Sequence, residues 1–388
     1  MYVAYTPEQE ALRRDLRAYF ARLMTPEVAD EVASGNTGGP HCLAAVRQMG
    51  RDGWLGIGWP KEYGGQGRSP IEQFIFYDEA WRALAPIPAL TVNTVAQTIM
   101  AFGSDEQKRH FLPRILRGEL HFAIGYTEPG AGTDLASLKT RAVRDGDHWV
   151  INGQKIYTSL AGYADYIWLA ARTDADAPKH KGISIFAVPT DTPGFSWAPL
   201  HTIVAAGTTT TFYEDVRVPH EALIGAVNQG WKLIVNQLNY ERVSLCPPGM
   251  IAAVYADTRR WAQTTRLGDG RVIDQEWVRL NLARVHARLE YLRLINWKVA
   301  TAEVVRPADV SATKVFGTEF FCEAYRLLLE VVGQAGTLRR GSPGAILHGR
   351  IERAYQGTLF LTFGGGTNEV QRDLIALFGL NLPRVPRL

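Results

Sequence analysis

Cysteine is scarce in this sequence, and its spacing excludes the usual structural uses of the thiol. Three cysteines, Cys42, Cys246 and Cys322, are spread over 388 residues, and none has the short spacing typical of a zinc site or a redox pair. Neither a metal site nor a disulfide framework is therefore predicted. Cys246 stands close to a glutamate, so a nucleophilic role is conceivable, but a small buried apolar residue is the more ordinary interpretation.

Long apolar runs and blocks of one charge are also missing. No uninterrupted apolar stretch approaches the ~18 residues of a membrane-spanning helix, and the first residues lack the basic and apolar regions of a secretory signal. The net charge is only +3, and Lys and Arg form no dense block, so no nucleic-acid-binding face is expected. With 46% hydrophobic and 21% charged residues, the composition is that of an ordinary globular protein, and a cytoplasmic location is the default expectation.

The first third of the chain is predicted to be helical. Ser104 is placed to accept hydrogen bonds at a helix start, and Gly118 is typical of a position just past a helix end. The glycine-rich segment 58–67 is predicted to be a loop. These signals favour an N-terminal α-helical domain over residues 1–120. An apolar stripe at helical spacing supports it, formed by Leu12, Leu16, Tyr19, Phe20 and Leu23.

From about residue 121 the pattern changes to short runs rich in β-branched and aromatic residues. Asp145-Gly146 and Asn152-Gly153 stand between such runs, and these dipeptides are strong signals of β-hairpin turns. A β-sandwich or open β-barrel is therefore predicted over residues 121–228. The predicted strands are His121–Tyr126, Lys139–Arg144, Trp149–Ile151, Lys155–Ser159, Tyr166–Ala171, Ile183–Pro189 and Thr210–Val218.

Helical periodicity returns from Gly230 onward. The stretch 281–305 is long enough for a bundle helix, which Pro307 is expected to end. A helical bundle is predicted over residues 229–388, so the chain is predicted to be an α+β multidomain protein with a helical, a β and a helical domain in that order. The apolar stripe of the long helix is formed by Leu282, Val285, Leu289, Leu292 and Ile295.

Five segments in order resemble the acyl-CoA dehydrogenase family over nearly the whole chain. They are GSDEQKRHFLPRILRGE (103–119), YTEPGAGTD (126–134), NGQKIYTS (152–159), FYEDVRVPHEALIG (212–225) and GGGTNEVQRD (364–373). The resemblance implies a helical N-terminal domain, a β middle domain and a C-terminal four-helix bundle. It also implies bound FAD, an acyl-CoA substrate and electron-transferring flavoprotein as the oxidant.

The resemblance also implies which residues contact the flavin and the substrate. Tyr157 stands where the family usually has Trp, which keeps an aromatic face and adds a hydroxyl. The residues expected around the isoalloxazine are Tyr126, Thr127, Gly132, Thr133, Tyr157, Thr158 and Ser159, with Thr367 and Glu369 near the adenine side. The residues expected to contact acyl-CoA are Thr133, Asn239, Arg242, Gly365 and Gly366.

The catalytic base is where this sequence departs most from the family pattern. A carboxylate must remove the α-proton of the thioester, and general-base help of this kind contributes about 10²–10⁴-fold. The family usually carries that glutamate in a YEGT motif, but Gly365 occupies its place here. The segment LNYERV (238–243) resembles the alternative position used by isovaleryl-type members, which identifies Glu241 as the base. A dry pocket should raise its pKa, because desolvation disfavours the charged carboxylate.

The glycines at positions 364–366 leave two interpretations open. They leave room where a glutamate side chain would stand, and each extra buried methylene contributes about 0.8 kcal/mol, so the site could favour a bulky or branched acyl group. The plainer interpretation is that they form a turn or a helix start.

The outer part of the flavin site also departs from the family. An RxxFG stretch that contacts the flavin of a neighbouring subunit is replaced by residues 264–268, TTRLG, and the family's RxSxT before its FEDVxVP strand is replaced by AGTTT at 206–210. A partner chain could supply the missing arm. The pattern resembles one subunit type of the actinobacterial α2β2 acyl-CoA dehydrogenases that act on steroid side-chain CoA thioesters.

Two other functions remain open at this point. The chain could be a non-catalytic partner subunit in which Glu241 is structural, or a carrier-protein-linked or oxygen-using flavoenzyme of the same fold. The sequence does not identify the acyl group, the electron acceptor or the composition of the oligomer.

Overall fold

The computed structural model describes residues 4–204, 207–244 and 246–383, and the side chains of residues 239–244 lie outside that description. Packing groups the chain into two compact units, each built from segments that are distant in sequence. The helical unit comprises Met1–Thr25, Ser69–Ala85 and Arg242–Leu388, and the sheet unit comprises Pro26–Arg68 and Pro86–Glu241.

Helices form the first and last parts of the chain, and the strands of the main sheet lie between them, as predicted, whereas β9 and β10 form a short hairpin between two C-terminal helices. The helices are α1 (Pro7–Leu23), α2 (Pro26–Ser34), α3 (Pro40–Arg51), α4 (Pro70–Ala83), α5 (Ala96–Phe102), α6 (Asp105–Leu116), α7 (Gly230–Ser244), α8 (Gly249–Thr264), α9 (Glu276–Ala300), α10 (Pro307–Val332), α11 (Arg350–Thr358) and α12 (Asn368–Phe378). The strands are β1 (Phe122–Gly125), β2 (Arg141–Asp145), β3 (His148–Ile156), β4 (Tyr166–Arg172), β5 (Ile183–Pro189), β6 (Phe195–Leu200), β7 (Thr208–Pro219), β8 (Leu223–Ile224), β9 (Arg266–Leu267) and β10 (Gly270–Arg271).

The sheet unit is built on one mixed sheet with the strand order β6-β7-β3-β2-β4-β5-β8 and with β1 parallel to β4. Strands β4 and β5 are buried along most of their length, which explains their nearly continuous apolar sequences. Trp149, Ile167, Leu169, Phe186 and Val188 are at the centre of the core of this unit. This core makes the sheet a rigid base for the loops that leave its strands.

One predicted hairpin is present and the other is wrong. Asp145 pairs with His148 across a tight turn, as the Asp-Gly dipeptide predicts. By contrast, β3 runs through Asn152 and Gly153 without reversing, and β7 carries one extra residue opposite them, between Tyr213 and Val216, which forms a bulge. The Asn152 side chain accounts for this difference, because it exchanges hydrogen bonds of 2.9 and 3.0 Å with Asp215 on the neighbouring strand.

The helical unit joins α1 and α4 to the helices of the C-terminal half. The carboxylate of Glu79 on α4 is buried and accepts hydrogen bonds from Arg13 at 2.8 Å and Arg17 at 3.0 Å on α1. The long predicted helix is present as α9 but ends at Ala300, and Pro307 instead begins α10, a position that suits its fixed φ. The core between α8, α9 and α10 includes Val278, Val285, Leu292, Phe321 and Leu328.

The domain boundaries 1–120, 121–228 and 229–388 stay a prediction, because the compact units cut across them. The predicted N-cap at Ser104 is confirmed: its hydroxyl accepts from the Gln107 amide, and the Gln107 side chain accepts from the Ser104 amide. Within the described part of the chain, no helix has the length and apolarity needed to cross a bilayer.

Candidate functional site

Two loop-bearing segments of the sheet unit run side by side. Residues 126–134 leave β1, and residues 157–159 follow β3. The amide of Ile156 donates to the carbonyl of Thr127 at 2.9 Å, which joins the two segments at their base. A two-residue bridge between Glu128 and Ala131 then closes the first segment into a compact turn. The structure therefore brings the two family-like motifs of the β region into one place.

A buried ion pair links these two segments from below. The Lys155 ammonium lies 2.8 Å from the Glu128 carboxylate and also donates to the Tyr126 carbonyl at 3.0 Å. The same carboxylate accepts the amides of Lys139 at 2.7 Å and Thr140 at 2.8 Å. The buried Glu128 carboxylate therefore has one cation and two backbone amides as hydrogen-bond donors, as a buried charge requires.

The protonation states of this pair follow from its surroundings. Burial alone would raise the pKa of Glu128, but the Lys155 ammonium and the two backbone amides hold it below its usual range. Burial lowers the pKa of Lys155 to about 8, against the opposing attraction of Glu128. Both groups are therefore charged at neutral pH, and the loop is held by a buried salt bridge.

Tyr126 is fixed at both ends. Its backbone carbonyl accepts from Lys155, and its buried hydroxyl accepts from the Trp168 indole at 3.0 Å and donates to the side-chain oxygen of Gln237. Gln237 lies on α7 and is fully buried. Although Tyr126 is predicted to lie near the isoalloxazine, its hydroxyl is used to hold the loop against a neighbouring helix.

In the segment after β3, the ring of Tyr157 is exposed and the hydroxyl of Thr158 is buried. Tyr157 has a φ of 59°, which is uncommon for a residue with a side chain, and its ring is 58% exposed. Thr158 is buried, and its hydroxyl lies 3.3 Å from that of Thr211. Ser159 is half-buried and donates to the Thr208 hydroxyl at 3.1 Å. Of the predicted flavin contacts in this segment, only Tyr157 offers an open side-chain surface.

The tip of the first segment is open. Gly132 and Thr133 are exposed, and a side chain added at Gly130 or Gly132 would meet no atom within 4 Å. Behind the tip lies a cavity of about 310 Å³, with Pro129 and Gly153 among its lining residues. Backbone of this kind can approach a ligand closely, since no side chain stands in the way.

The residues of these segments fit a flat, polar ring system such as the flavin that the family resemblance implies. Tyr157 offers an aromatic face, Thr127 and Ser159 offer half-buried hydroxyls, and the glycine tip leaves backbone accessible. Backbone strain at an exposed aromatic residue is typical of ligand sites, where the surroundings enforce it. These residues would hold the ring, while the ion pair beneath them fixes their spacing.

The other predicted flavin and substrate contacts belong to the helical unit. Gly365 and Gly366 have φ values of 65° and 90° and form the turn that enters α12. Thr367 caps that helix by accepting the amide of Val370, and Glu369 is exposed in its first turn. The plain interpretation of the glycines, a turn at a helix start, is therefore part of the structure.

Lys314 on α10 holds this turn from inside. Its buried ammonium donates to the carbonyls of Thr362 at 3.2 Å and Gly366 at 2.8 Å, and to the Asn368 side chain at 2.7 Å. The first carbonyl lies before the three glycines, and the second belongs to the last of them. One buried cation therefore closes a loop that has no side chains of its own to do so.

Three predicted residues lie outside the described side chains. Asn239, Glu241 and Arg242 belong to α7, whose backbone is helical through Ser244. Cys246, the alternative nucleophile, is fully buried. Burial raises the pKa of its thiol to about 12, so the thiolate that nucleophilic attack requires is not formed at neutral pH.

Sequence reasoning missed the residues that support the site. Glu128 and Lys155 stand inside the two family-like motifs, and two opposite charges within otherwise apolar segments were a usable signal. Gln237 and Lys314 gave no such signal, because a polar residue on a helix is usually exposed and only the packing shows that these two are buried.

The three domain models of the acyl-CoA dehydrogenase family match this chain in succession. The N-terminal domain model matches residues 6–119, the middle domain model 123–216 and the C-terminal domain model 228–379. Members of this family generally bind FAD.

Individual relatives are similar over their full length. The acyl-CoA dehydrogenase FadE26 of Mycobacterium tuberculosis is 58% identical, with 100% of each chain covered. A chain of the ChsE4-ChsE5 complex of the same organism is 60% identical with a TM-score of 0.94, covering 99% of this chain and 100% of that one. A chain of the Tcur3481-Tcur3483 steroid acyl-CoA dehydrogenase is 50% identical with a TM-score of 0.94, over 99% of this chain and 100% of that one. This chain therefore belongs to the acyl-CoA dehydrogenase family and is an oxidoreductase acting on the CH–CH bond.

Proposed function

We propose that this chain oxidises the Cα–Cβ bond of a bulky or branched acyl-CoA thioester, with Glu241 as the base that removes the α-proton. The observation that carries this proposal is the backbone of Gly365. This residue stands where the family usually has its glutamate, and its φ of 65° lies in the left-handed region that favours glycine. The turn is built without a carboxylate, so the base must come from another segment.

The location of Glu241 on α7 supports its role. The helix begins at Gly230, and its buried residue Gln237 contacts the loop that starts with Tyr126. The base thus belongs to the same compact unit as the two segments proposed for the isoalloxazine, 126–134 and 157–159. An α-proton beside a thioester is weakly acidic, so the carboxylate must be positioned and partly desolvated to remove it.

FAD, held by these segments, would supply the acceptor for the hydride that leaves Cβ. The chain's own residues provide position and electrostatics for that transfer. Tyr157 would pack on the ring, and the segment fixed by Glu128 and Lys155 would surround its edge. Thr133 and Arg242 would contact acyl-CoA, and Thr367 and Glu369 would lie near the adenine side, as the family resemblance implies.

The substrate class follows from the glycines and from the named relatives. A turn of three glycines adds no side-chain volume beside the acyl group, which favours a bulky or branched chain. One similar structure is described as a steroid acyl-CoA dehydrogenase, so a steroid side-chain thioester is the first substrate to test. Electron-transferring flavoprotein is the proposed acceptor, and oxygen is the alternative that a rate comparison would separate.

The test of the base compares Glu241→Gln with wild type in flavin content and in turnover of a steroid side-chain CoA thioester and isovaleryl-CoA. The amide keeps the shape but cannot accept a proton, so kcat/KM should fall about 10²–10⁴-fold while flavin content is unchanged. Glu276→Gln, an exposed change at the first turn of α9, is the control and should keep full turnover. Turnover of Glu241→Gln within a few fold of wild type would instead favour a non-catalytic partner subunit with a structural Glu241.

A further inference from the structure

A buried chain of hydrogen bonds crosses the sheet unit and passes through α7. The Trp168 indole on β4 donates to the Tyr126 hydroxyl at 3.0 Å, and that hydroxyl donates to the Gln237 side-chain oxygen. The Gln237 amide nitrogen donates to the Thr94 hydroxyl at 3.4 Å, and Thr94 donates to the Leu90 carbonyl at 2.5 Å. Each donor in this series has a defined acceptor.

This series of hydrogen bonds joins a strand, a loop, a helix and a π-helical turn. Trp168 is in the centre of a buried strand, Tyr126 begins the open loop segment, and Thr94 lies in the π-helical turn Leu90–Val95 that leads into α5. Single π-helical turns occur often at functional sites. Gln237 is fully buried, and it connects α7 to the loop on one side and to this turn on the other.

Gln237 also has a defined place relative to the proposed base. Position 237 precedes position 241 by four residues on α7, and residues four apart lie above one another on the same helical face. The hydrogen bonds of Gln237 therefore restrain α7 against rotation about its axis and against a shift along it, and this restraint extends to position 241. The same contact fixes that face relative to Tyr126, the first residue of the proposed flavin segment.

We propose that Gln237 is a positioning residue for the reaction: its bond to Tyr126 sets α7 so that the base at position 241 meets the α-proton. This inference rests on the proposed function and adds the residue that places the base. Gln237 does not touch the reacting atoms. It acts through the helix, and a displacement of the base by about 1 Å can cost about 10²-fold in rate.

The experiment uses Gln237→Leu and Gln237→Glu in the flavin-loaded protein, prepared with its partner chain if it requires one. Leucine removes both hydrogen bonds at similar volume, whereas glutamate keeps an oxygen to accept from Tyr126. The readouts are kcat and KM, the pH profile of kcat/KM, and the rate at which Cα of isovaleryl-CoA takes up deuterium from solvent.

We expect Gln237→Leu to lower kcat and the deuterium uptake by the same factor, about 10- to 100-fold, with a displaced acidic limb of the pH profile and little change in KM. Gln237→Glu should recover most of the loss. Gln107→Leu is the matched control: it removes another buried glutamine of the same unit, bonded to the Glu221 and Leu223 carbonyls at 2.8 and 2.7 Å. It should lower the melting temperature without changing the pH profile.

Glu241→Gln is measured in parallel, so that two failures can be told apart. If Glu241→Gln still exchanges the α-proton, the base is misassigned, and the positioning role falls with it. If Glu241→Gln stops exchange but Gln237→Leu leaves exchange and pH profile as in wild type, the positioning role alone is wrong. Should Gln237→Leu not fold, Tyr126→Phe removes the same bond from its other end and must reproduce the slowed exchange.

Discussion

Asp78 on α4 is a carboxyl group that is almost completely buried in the helical unit. Its oxygen accepts the amide of Gly249, the first residue of α8, at 2.6 Å. Burial raises its pKa to about 6, and the neighbouring Glu79 adds to the rise, whereas the Gly249 amide and the cations Arg293 and Arg13 oppose it. The charged form is therefore less favourable in the folded protein than in the unfolded chain.

The consequence is a pH-dependent loss of stability. The pKa of Asp78 in the folded protein is above the value of about 3.9 in an unfolded chain. The contribution of the Asp78 carboxyl to the free energy of unfolding is therefore fully present below pH 4 and is lost as pH rises to about 6. Asp78→Asn keeps an oxygen for Gly249 but cannot ionise. Its free energy of unfolding at pH 7 should exceed that of wild type by about 1–3 kcal/mol, and the difference should vanish near pH 4.

Denaturant unfolding of both proteins between pH 4 and pH 7 measures this difference. Asp191→Asn, a change of the same chemistry at an exposed turn, is the control and should leave the pH dependence unaltered. A variant that is less stable than wild type at pH 7 would mean that Arg13 and Arg293 stabilise the ionised carboxylate by more than burial costs it.

Of the individual residues at the candidate site, the sequence predicted the exposed ones but not those that hold them in place. Tyr157, Thr133 and Gly132 follow from the family-like motifs, and the structure gives them an open surface. The roles of Lys155 and Gln237 depend on burial and on partners 27 and 111 residues away in sequence. Such long-range pairings are set by tertiary packing, which local sequence patterns do not encode.

The turn before α12 shows how an element can be fixed without side chains of its own. Two left-handed glycines make it possible, and the Lys314 ammonium joins the carbonyls of Thr362 and Gly366 across it. Asn368 connects the same cation to the start of the helix. A glutamate at position 365 would therefore have to adopt a strained backbone as well as fit beside this network.

Gly365→Ala tests the requirement for glycine in this turn. A left-handed residue with a Cβ costs roughly 1–2 kcal/mol, so the free energy of unfolding should fall by about that amount in denaturant titration. If the turn borders the acyl group as proposed, kcat/KM should also fall more for a steroid side-chain thioester than for a straight-chain one. Gly357→Ala is the matched control, because Gly357 lies within α11 and an added Cβ meets no atom within 4 Å. It should be neutral or stabilising by about 0.4–1 kcal/mol, and equal losses in both variants would contradict the strain.

Periodic elements were predicted well, and irregular ones were not. The buried strand β5 and the capped helix α6 match their predicted positions because burial and capping leave clear local patterns. The Asn152-Gly153 segment of β3 has the sequence of a hairpin turn, and only its pairing with β7, which carries the extra residue, shows that the strand continues past a bulge. Strand β6 was missed because it is an exposed edge strand and shows no alternation of buried and exposed residues. The π-helical turn Leu90–Val95 likewise has no recognised sequence signal.

At the scale of the whole molecule, the chain order is a poor guide to the compact units. Helix α4 packs on α8 and α9, and α1 packs on α4, so both belong to the unit of the C-terminal helices, although the sequence places them in the N-terminal domain. The Glu79 carboxylate, bonded to Arg13 and Arg17, holds those two helices together. The predicted order of helical, β and helical segments is right, but contacts between distant segments decide which helices form one unit.

Helix α9 exposes two pairs of large apolar residues in addition to the residues that it places in the core. Four large residues remain exposed on it at helical spacing: Trp277, Leu280, Tyr291 and Leu294. They form two pairs, 277/280 and 291/294, separated along the helix by the exposed Arg284 and Arg288, and clustered exposed apolar residues are typical of a surface that another chain covers. One similar structure is described as a complex, ChsE4-ChsE5, so co-expression with a second chain is the experiment that tests whether these pairs become covered.

Because this chain lacks the RxxFG segment, its FAD content when expressed alone is the most direct test of whether it needs a partner chain. We expect the chain expressed alone to hold FAD substoichiometrically, because the hairpin of β9 and β10, Arg266 to Arg271, lacks the arm that completes a neighbouring flavin site in the family. Co-expression with an acyl-CoA dehydrogenase-like chain encoded nearby should raise flavin absorbance per protein and give an α2β2 mass by light scattering. Adding FAD to the separately purified chain controls for simple loss of cofactor during preparation. A homo-oligomer with one tightly held FAD per chain and full turnover would rule out the requirement for a partner, while leaving the role of Glu241 untouched.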